Sequence, residues 1–202
     1  MGHDNALTGE DHKMQRRQAL TEAAFRRIAE SGLEGLRTRD VAADAGVNIA
    51  TLHYYFPTKE SLIRGVVASA LLRFRESMPN EGSAAEQLRW HLSALRQLLK
   101  EETDLFVVLG ELSLRAPRDP VIAQIMKDTD DPWHRKMAEL LRRAIAEGCL
   151  DPELNPDDTA ALMIVAIKGI IFSTVAALRP MRVDQTFDQL ERWLGLRPRH
   201  EP

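Results

Sequence analysis

Apolar residues along this chain recur at intervals of three and four, the spacing that gathers them on one face of an α-helix, and show no strand-like alternation. Leu20, Ala24, Phe25 and Ile28 predict a helix over 13–31, closed by Gly32. Val41, Ala42 and Ala45 predict a short second helix with Thr38 as its N-cap and Gly46 at its end, where positive φ is tolerated. Asn48 caps a third helix that turns Leu52 and Tyr55 or Phe56 inward and stops at Pro57. A fourth starts after Thr58 and runs to about 78, before Pro79, Asn80 and Gly82. Ser83 and Glu86 form a capping box that opens a helix to about 100, and another covers 104–114 before Pro117. Asp119-Pro120 and Asp131-Pro132 each read as restarts, the second giving 133–147 with Gly148 at its end. Asn155-Pro156-Asp157-Asp158 opens 157–178, which ends before Pro180, and a last amphipathic helix covers 185–194. The expectation is an all-α protein without internal repeats.

The second and third helices predict a helix-turn-helix. Ala42 supplies the small side chain that two helices crossing at about 90–120° require at their closest approach. With Leu52 inside, Ile49, Ala50, Thr51, His53 and Tyr54 face outward on a short helix, which suits a reader of the DNA major groove. Those five are assigned to the groove, Thr38, Tyr55 and Lys59 mainly to phosphates, and Asn48 to the start of the same surface. The net charge of −3 limits the footprint to a local one. Arg16, Arg17, Arg26, Arg27, Arg37, Arg39 and Lys59 fall in the first 60 residues, offset by acids such as Glu30, Glu34, Asp40 and Asp44.

The helix at 157–178 is apolar on nearly every side, interrupted by Lys168, Ser173 and Thr174. It lacks the roughly 18 consecutive apolar residues of a membrane span, so a second chain is the expected cover for one of its sides. Gly169, Ser173 and Ala177 stand four apart, a small-residue ridge for close helix approach. A two-fold dimer would also supply two reading heads for paired half-sites.

Little points to covalent chemistry. The histidines are scattered, HExxH, CxxC, GxSxG and Gly-rich phosphate loops are missing from the sequence, and neither catalytic nor metal-binding residues nor a cofactor are expected. Cys149 is the single cysteine, expected as a small buried hydrophobe in a reducing, cytoplasmic setting. Residues 1–12 are polar and read as a flexible arm, not as a secretory signal.

Ala45, Gly46, Val47, Leu52, Tyr54, Tyr55, Phe56, Lys59, Glu60 and Leu62, within about 13–65, closely resemble the pattern of the TetR family of bacterial repressors. His53 stands where that family often has Tyr, and Asn48 where Ser is frequent, so the operator sequence does not follow by analogy. The resemblance implies a DNA-binding domain over 13–58 and a larger helical domain over 59–202 that binds an effector and dimerises. It implies a dimer interface from the last two long helices, assigned here to Ile164, Gly169, Ser173, Ala177, Leu190 and Trp193. It also implies a ligand cavity in the C-terminal helices. Its candidate lining is Trp90 and His91; Phe106, Leu109 and Leu112; Met126, Trp133 and Met137; and Ile164, Lys168 and Phe172. Most of these are also ordinary core residues by type. Lys168 is the exception, because an ammonium on an apolar helix is costly unless paired, either with an acidic ligand or with an acid across the dimer. The aromatic content makes an apolar or aromatic effector the default. The resulting expectation is a homodimeric repressor that binds palindromic operator DNA and is released by a small molecule. A ligand-free constitutive or architectural DNA-binding protein is the alternative, and a helical adaptor using the motif as scaffold a third.

Overall fold

The computed structural model describes residues 9–75, 81–171 and 179–196, and among these every regular element is helical. The chain divides into two compact units, Met1–Leu72 and Arg73–Pro202. The sequence-based boundary at 58/59 differs from this division in where the fourth helix is counted.

In the first unit, α1 (Gly9–Ser31) buries Leu20, Ala23, Ala24 and Ile28 and packs against α2 (Thr38–Asp44) and the 3₁₀ turn Leu33–Gly35. Phe25 is only half-buried; Ala23 takes the inward position instead. The helix also begins earlier than expected, taking in four residues of the supposed arm; residues 1–8 lie outside the described residues. Thr38 is not the cap of α2. Arg37 occupies the N-cap in extended conformation and makes no side-chain cap, while Thr38 is already helical. The C-terminal end of α2 is as the sequence implies: Gly46 has φ 66°, its N–H reaches the Ala43 carbonyl, and Val47 N–H reaches Ala42 at 2.9 Å. That pair of bonds is the Schellman arrangement that satisfies helix-terminal carbonyls. After α3 (Ile49–Tyr55), Thr58 and Ser61 cap α4 (Lys59–Arg75) reciprocally, each hydroxyl accepting the other's backbone N–H. Leu62, Ile63, Val66 and Val67 are all buried along α4.

The second unit holds α5 (Ala84–Glu101), α6 (Thr103–Arg115), α7 (Pro120–Ala146), α8 (Pro156–Ile171) and α9 (Arg179–Trp193). The capping box forms as expected, with Ser83 N–H donating to Glu86 at 2.8 Å and Glu86 N–H to the Ser83 hydroxyl. α7 packs on α5 and α8, and α5 also carries α9, so the core lies among these four. Arg96 of α5 reaches Asp184 and Asp188 of α9, each at 2.7 Å.

Two proline-based boundaries need correction. Pro132 does not restart a helix; α7 runs through it. Its ring removes one backbone bond on an exposed side, where water can serve the freed carbonyl. Ile122 and Ile125 before it and Met137, Leu140 and Leu141 after it are buried, holding both halves on one axis. Pro180 stands in the first turn of α9, a position that needs no intrahelical N–H bond, so that helix starts six residues sooner than the apolar stripe indicated. Cys149 is exposed, not buried, because it follows the positive-φ Gly148 in the turn that ends α7.

Candidate nucleic-acid interface

α3 is a seven-residue helix held from both ends. At its start the Asn48 carboxamide oxygen accepts from Thr51 N–H at 2.8 Å and from the Thr51 hydroxyl at 3.0 Å. From beneath, Leu52 and Phe56 are fully buried, and the guanidinium of Arg17 lies over the Phe56 ring. Phe56, not Tyr55, is therefore the inward aromatic. Ile49, Ala50 and His53 are exposed, and Tyr54 is 69% exposed. Such an apolar and aromatic face left in water is what a docking surface requires. Thr51 is half-buried, as are Thr38 and Tyr55, and Tyr55 meets Tyr54 edge-to-face at 5.1 Å.

Lys59, at the start of α4, donates to the Leu33 carbonyl at 3.1 Å while remaining exposed. It ties α4 to the turn that precedes α2, so any phosphate contact shares its ammonium with this carbonyl. Arg27 grips Asp44 with two bonds of 2.5 and 2.9 Å, clamping α1 to the end of α2. Hydrogen bonding to Arg27 holds the Asp44 carboxyl below the usual carboxylate range. That pair removes one cation and one acid together, leaving the net charge of this unit unchanged.

An open groove of about 640 Å³ separates α1 from α3. Its α1 wall is Gly9, His12, Lys13 and Arg16; its α3 wall is Asn48, Ala50, Thr51, Tyr54 and Tyr55. Five of the expected DNA-facing residues thus come together here, while Ile49 and His53 lie on the other flank of α3 and Thr38 and Lys59 elsewhere in the unit. Of the α1 wall, the sequence points to Arg16 only as one of the positive residues of the first 60 and assigns none of the four to the interface. The cations at 13 and 16 precede the buried stripe and carry no periodic signal.

The expected cavity residues separate by burial. His91, Phe106, Leu112, Met137 and Ile164 are buried; Leu109, Met126 and Trp133 are half-buried; Phe172 lies outside the described residues. Trp90 is 43% exposed and faces away from the core, since it neighbours the inward His91 on α5. Lys168 has an anion within its own unit, since Asp130 of α7 pairs with it while both side chains stay partly exposed. His91 is 2% exposed, and its Nε2 accepts from the Trp133 indole N–H at 3.2 Å. Because indole nitrogen only donates, the proton of the neutral ring sits on Nδ1, which is buried without a partner among the described residues. Burial, with a smaller contribution from Lys136, lowers the His91 pKa to about 4 and keeps the ring neutral.

On α8, Leu162 and Val165 are exposed, as is Gly169, where an added Cβ would meet nothing within 4 Å. Trp193 and Met181 are exposed on α9. Ile164 turns inward, and so does Leu190, which joins Val183, Phe187 and Leu194 in the core. Leu190 thus belongs to the folded unit, not to a surface. Ser173 and Ala177 lie outside the described residues.

Residues 20–66 match the profile of bacterial regulatory proteins of the tetR family, and residues 84–196 that of the BetI-type transcriptional repressor C-terminal domain. The chain belongs to the TetR family. This TetR-family regulator is 23% identical over 159 residues to the HTH-type transcriptional regulator UidR of Escherichia coli, covering 77% of this chain and 79% of that one. A TetR-family regulator from Rhodococcus sp. shares the fold with a TM-score of 0.80 at 23% identity, over 90% of this chain and 99% of that one. A transcriptional regulator from Saccharomonospora viridis, solved in complex with choline, has a TM-score of 0.70 at 23% identity, over 90% and 96%. The chain is therefore a DNA-binding transcriptional regulator built on the TetR fold. Among the described residues no helix is long and apolar enough to cross a membrane.

Proposed function

We propose that this TetR-family protein is a homodimeric repressor that reads a palindromic operator through α3 and leaves it when a small molecule binds the second unit. The observation that carries the reading is the α3 surface, with Leu52 and Phe56 locked beneath and His53, Tyr54, Ala50 and Ile49 presented to solvent. Ile49, Ala50, Thr51, His53 and Tyr54 are assigned to the major groove, and Thr38, Asn48, Tyr55 and Lys59 to its phosphate borders. The base-reading set lacks Arg and Gln, so specificity draws on thymine methyl contacts, His53 and DNA shape.

Dimerisation is assigned to the exposed face of α8 with Trp193 of α9. Leu162 and Val165, three positions apart on α8, are respectively 54% and 66% exposed, and apolar side chains left in water on one helix face call for a partner. The effector is assigned to His91. A buried donor without a partner costs on the order of 1–3 kcal/mol, which an acceptor oxygen or nitrogen on a bound molecule would recover. The choline-bound relative supports a small organic effector in general terms. Release would follow from a changed spacing of the two heads, since half-sites lie about 34–36 Å apart and tolerate little displacement. The division between the two units falls within α4, after Leu72. The ligand-free alternative draws on Phe106, Leu112 and Met137, which are packed as core.

Selection of duplex fragments from the source genome tests the whole reading. The expected fragments share two inverted half-sites one helical turn or a multiple apart, and a compound released from the same cells frees the protein from them. Fragments with a single half-site would contradict the two-headed repressor. Operator binding that no metabolite extract disturbs would favour the constitutive reading, and failure to retain any duplex would favour the adaptor.

A further inference from the structure

At about 100° per residue, the exposed positions of α3 fall into a crest and two flanks around the buried Leu52. Ala50 and Tyr54 form the crest, Ile49 and His53 one flank, and Thr51 and Tyr55 the other. The groove of about 640 Å³ borders the crest and the Thr51–Tyr55 flank, and its opposite wall is the start of α1. If the crest and the Ile49–His53 flank enter the major groove, a sugar-phosphate strand must run along the Thr51–Tyr55 flank.

We propose that the α1–α3 groove is the seat of one operator strand, and that Lys13 and Arg16 of α1 are phosphate-binding residues. This inference rests on the DNA-binding reading and extends the interface beyond the helix-turn-helix.

The chemistry of the groove selects that occupant. His12, Lys13 and Arg16 stand on one wall, and none of the residues on either wall is acidic. All three are exposed, and no described acid pairs with Lys13 or Arg16. Arg17, one position on, differs because its guanidinium is stacked on Phe56 and belongs to the fold. The other wall brings neutral hydrogen-bonding groups. The Thr51 hydroxyl already donates to Asn48, so the donors available there are the Asn48 amide nitrogen and the hydroxyls of Tyr54 and Tyr55. Cations facing neutral donors across an open trough fit a phosphodiester chain, which carries regularly spaced negative charge and accepts hydrogen bonds. The assignment also moves Thr51 from base reading to the border of the strand.

Equilibrium binding to a random-sequence duplex, measured across a salt series, tests this without knowledge of the operator. Each phosphate contact contributes a slope of about −0.9 to log K against log salt. Lys13→Gln and Arg16→Gln are each expected to reduce the slope by about one and to weaken binding about eightfold at 0.1 M salt, from that same slope. The double variant should lose about two, Arg16→Lys should keep the wild-type slope, and Arg89→Gln on α5 should change nothing. All these side chains are exposed, so the thermal transitions should coincide. Wild-type slopes in both Gln variants would overturn the proposal, as would weaker binding with an unchanged slope. If the wild-type protein itself bound no duplex, the DNA-binding reading would fall first, an outcome distinct from failure of the α1 contacts alone.

Discussion

Gly65 lies in the interior of α4 beneath the recognition helix, and Gly65→Ala probes how tightly the two are fitted. A methyl group there would stand 2.7 Å from Phe56 Cε1, 3.1 Å from Phe56 Cζ and 3.0 Å from the Thr21 methyl. Carbon atoms in contact prefer about 3.5–4.0 Å, so the ring would have to move by close to an ångström. Phe56 has little room to do so, being 1% exposed with Arg17 over its face. Replacing Gly by Ala inside a helix gains about 1 kcal/mol of propensity, and overpacking a filled core costs about 1–3 kcal/mol. The second should exceed the first, giving a net loss of about 1 kcal/mol. Phe56 also closes α3, its N–H bonded to the Leu52 carbonyl at 2.8 Å, so ring displacement should disturb the reading surface. Urea unfolding followed by circular dichroism measures the stability, and duplex binding measures the surface. Combining Gly65→Ala with Phe56→Leu should cost less than the sum of the single changes, because the smaller side chain leaves room for the methyl. Equal or greater stability in Gly65→Ala, with additive behaviour in the double variant, would refute the close fit.

Acid should act through His91. Its pKa is lowered from 6.5 to about 4, so between these values the unfolded chain binds a proton that the folded chain refuses. Stability contributed by the neutral ring is thus complete above pH 6.5 and lost as pH falls toward 4, by about 3 kcal/mol at about 1.36 kcal/mol per pH unit. Urea unfolding at both pH values should show this loss in the wild-type protein and its removal in His91→Gln; parallel pH dependence would contradict it. Replacing Leu162 and Val165 together by Glu should convert dimer to monomer in sedimentation while leaving helicity unchanged, since both side chains are exposed on the single chain. A wild-type protein that sediments as a monomer at micromolar concentration would remove the basis of the two-headed reading.

The parts legible in the sequence were those set by short-range chemistry. Gly46 had to end α2 because its backbone is left-handed, Asn48 capped α3 through its own carboxamide, and Ser83 with Glu86 opened α5. The stripe of α1 gave most of its buried face, with Leu20, Ala24 and Ile28 inside and Phe25 only half-buried, because two turns of helix repeat the signal. The misreadings involve choices between partners. Thr38 and Arg37 compete for one cap, and the sequence does not reveal which backbone is extended. Pro132 reads as a break until packing on both sides of it outweighs one lost hydrogen bond. Lys168 needs an anion, but that Asp130 supplies it depends on how α7 lies along α8. Trp90 and Leu190 show the same limit, as the side of a helix that meets its own core cannot be told from the side left outside. The α1 wall of the groove was hidden for a related reason, because exposed cations follow no period.

The central claim is that the exposed face of α3 reads base sequence, and the most direct measurement compares His53→Ala and Tyr54→Ala on two DNAs. Affinity is measured for a fragment selected by the wild-type protein and for a random-sequence duplex under the same salt. Each change should cost on the order of 1–3 kcal/mol on the selected fragment and distinctly less on random DNA. Both variants binding the selected fragment as tightly as the wild-type protein would show that the reading face lies elsewhere.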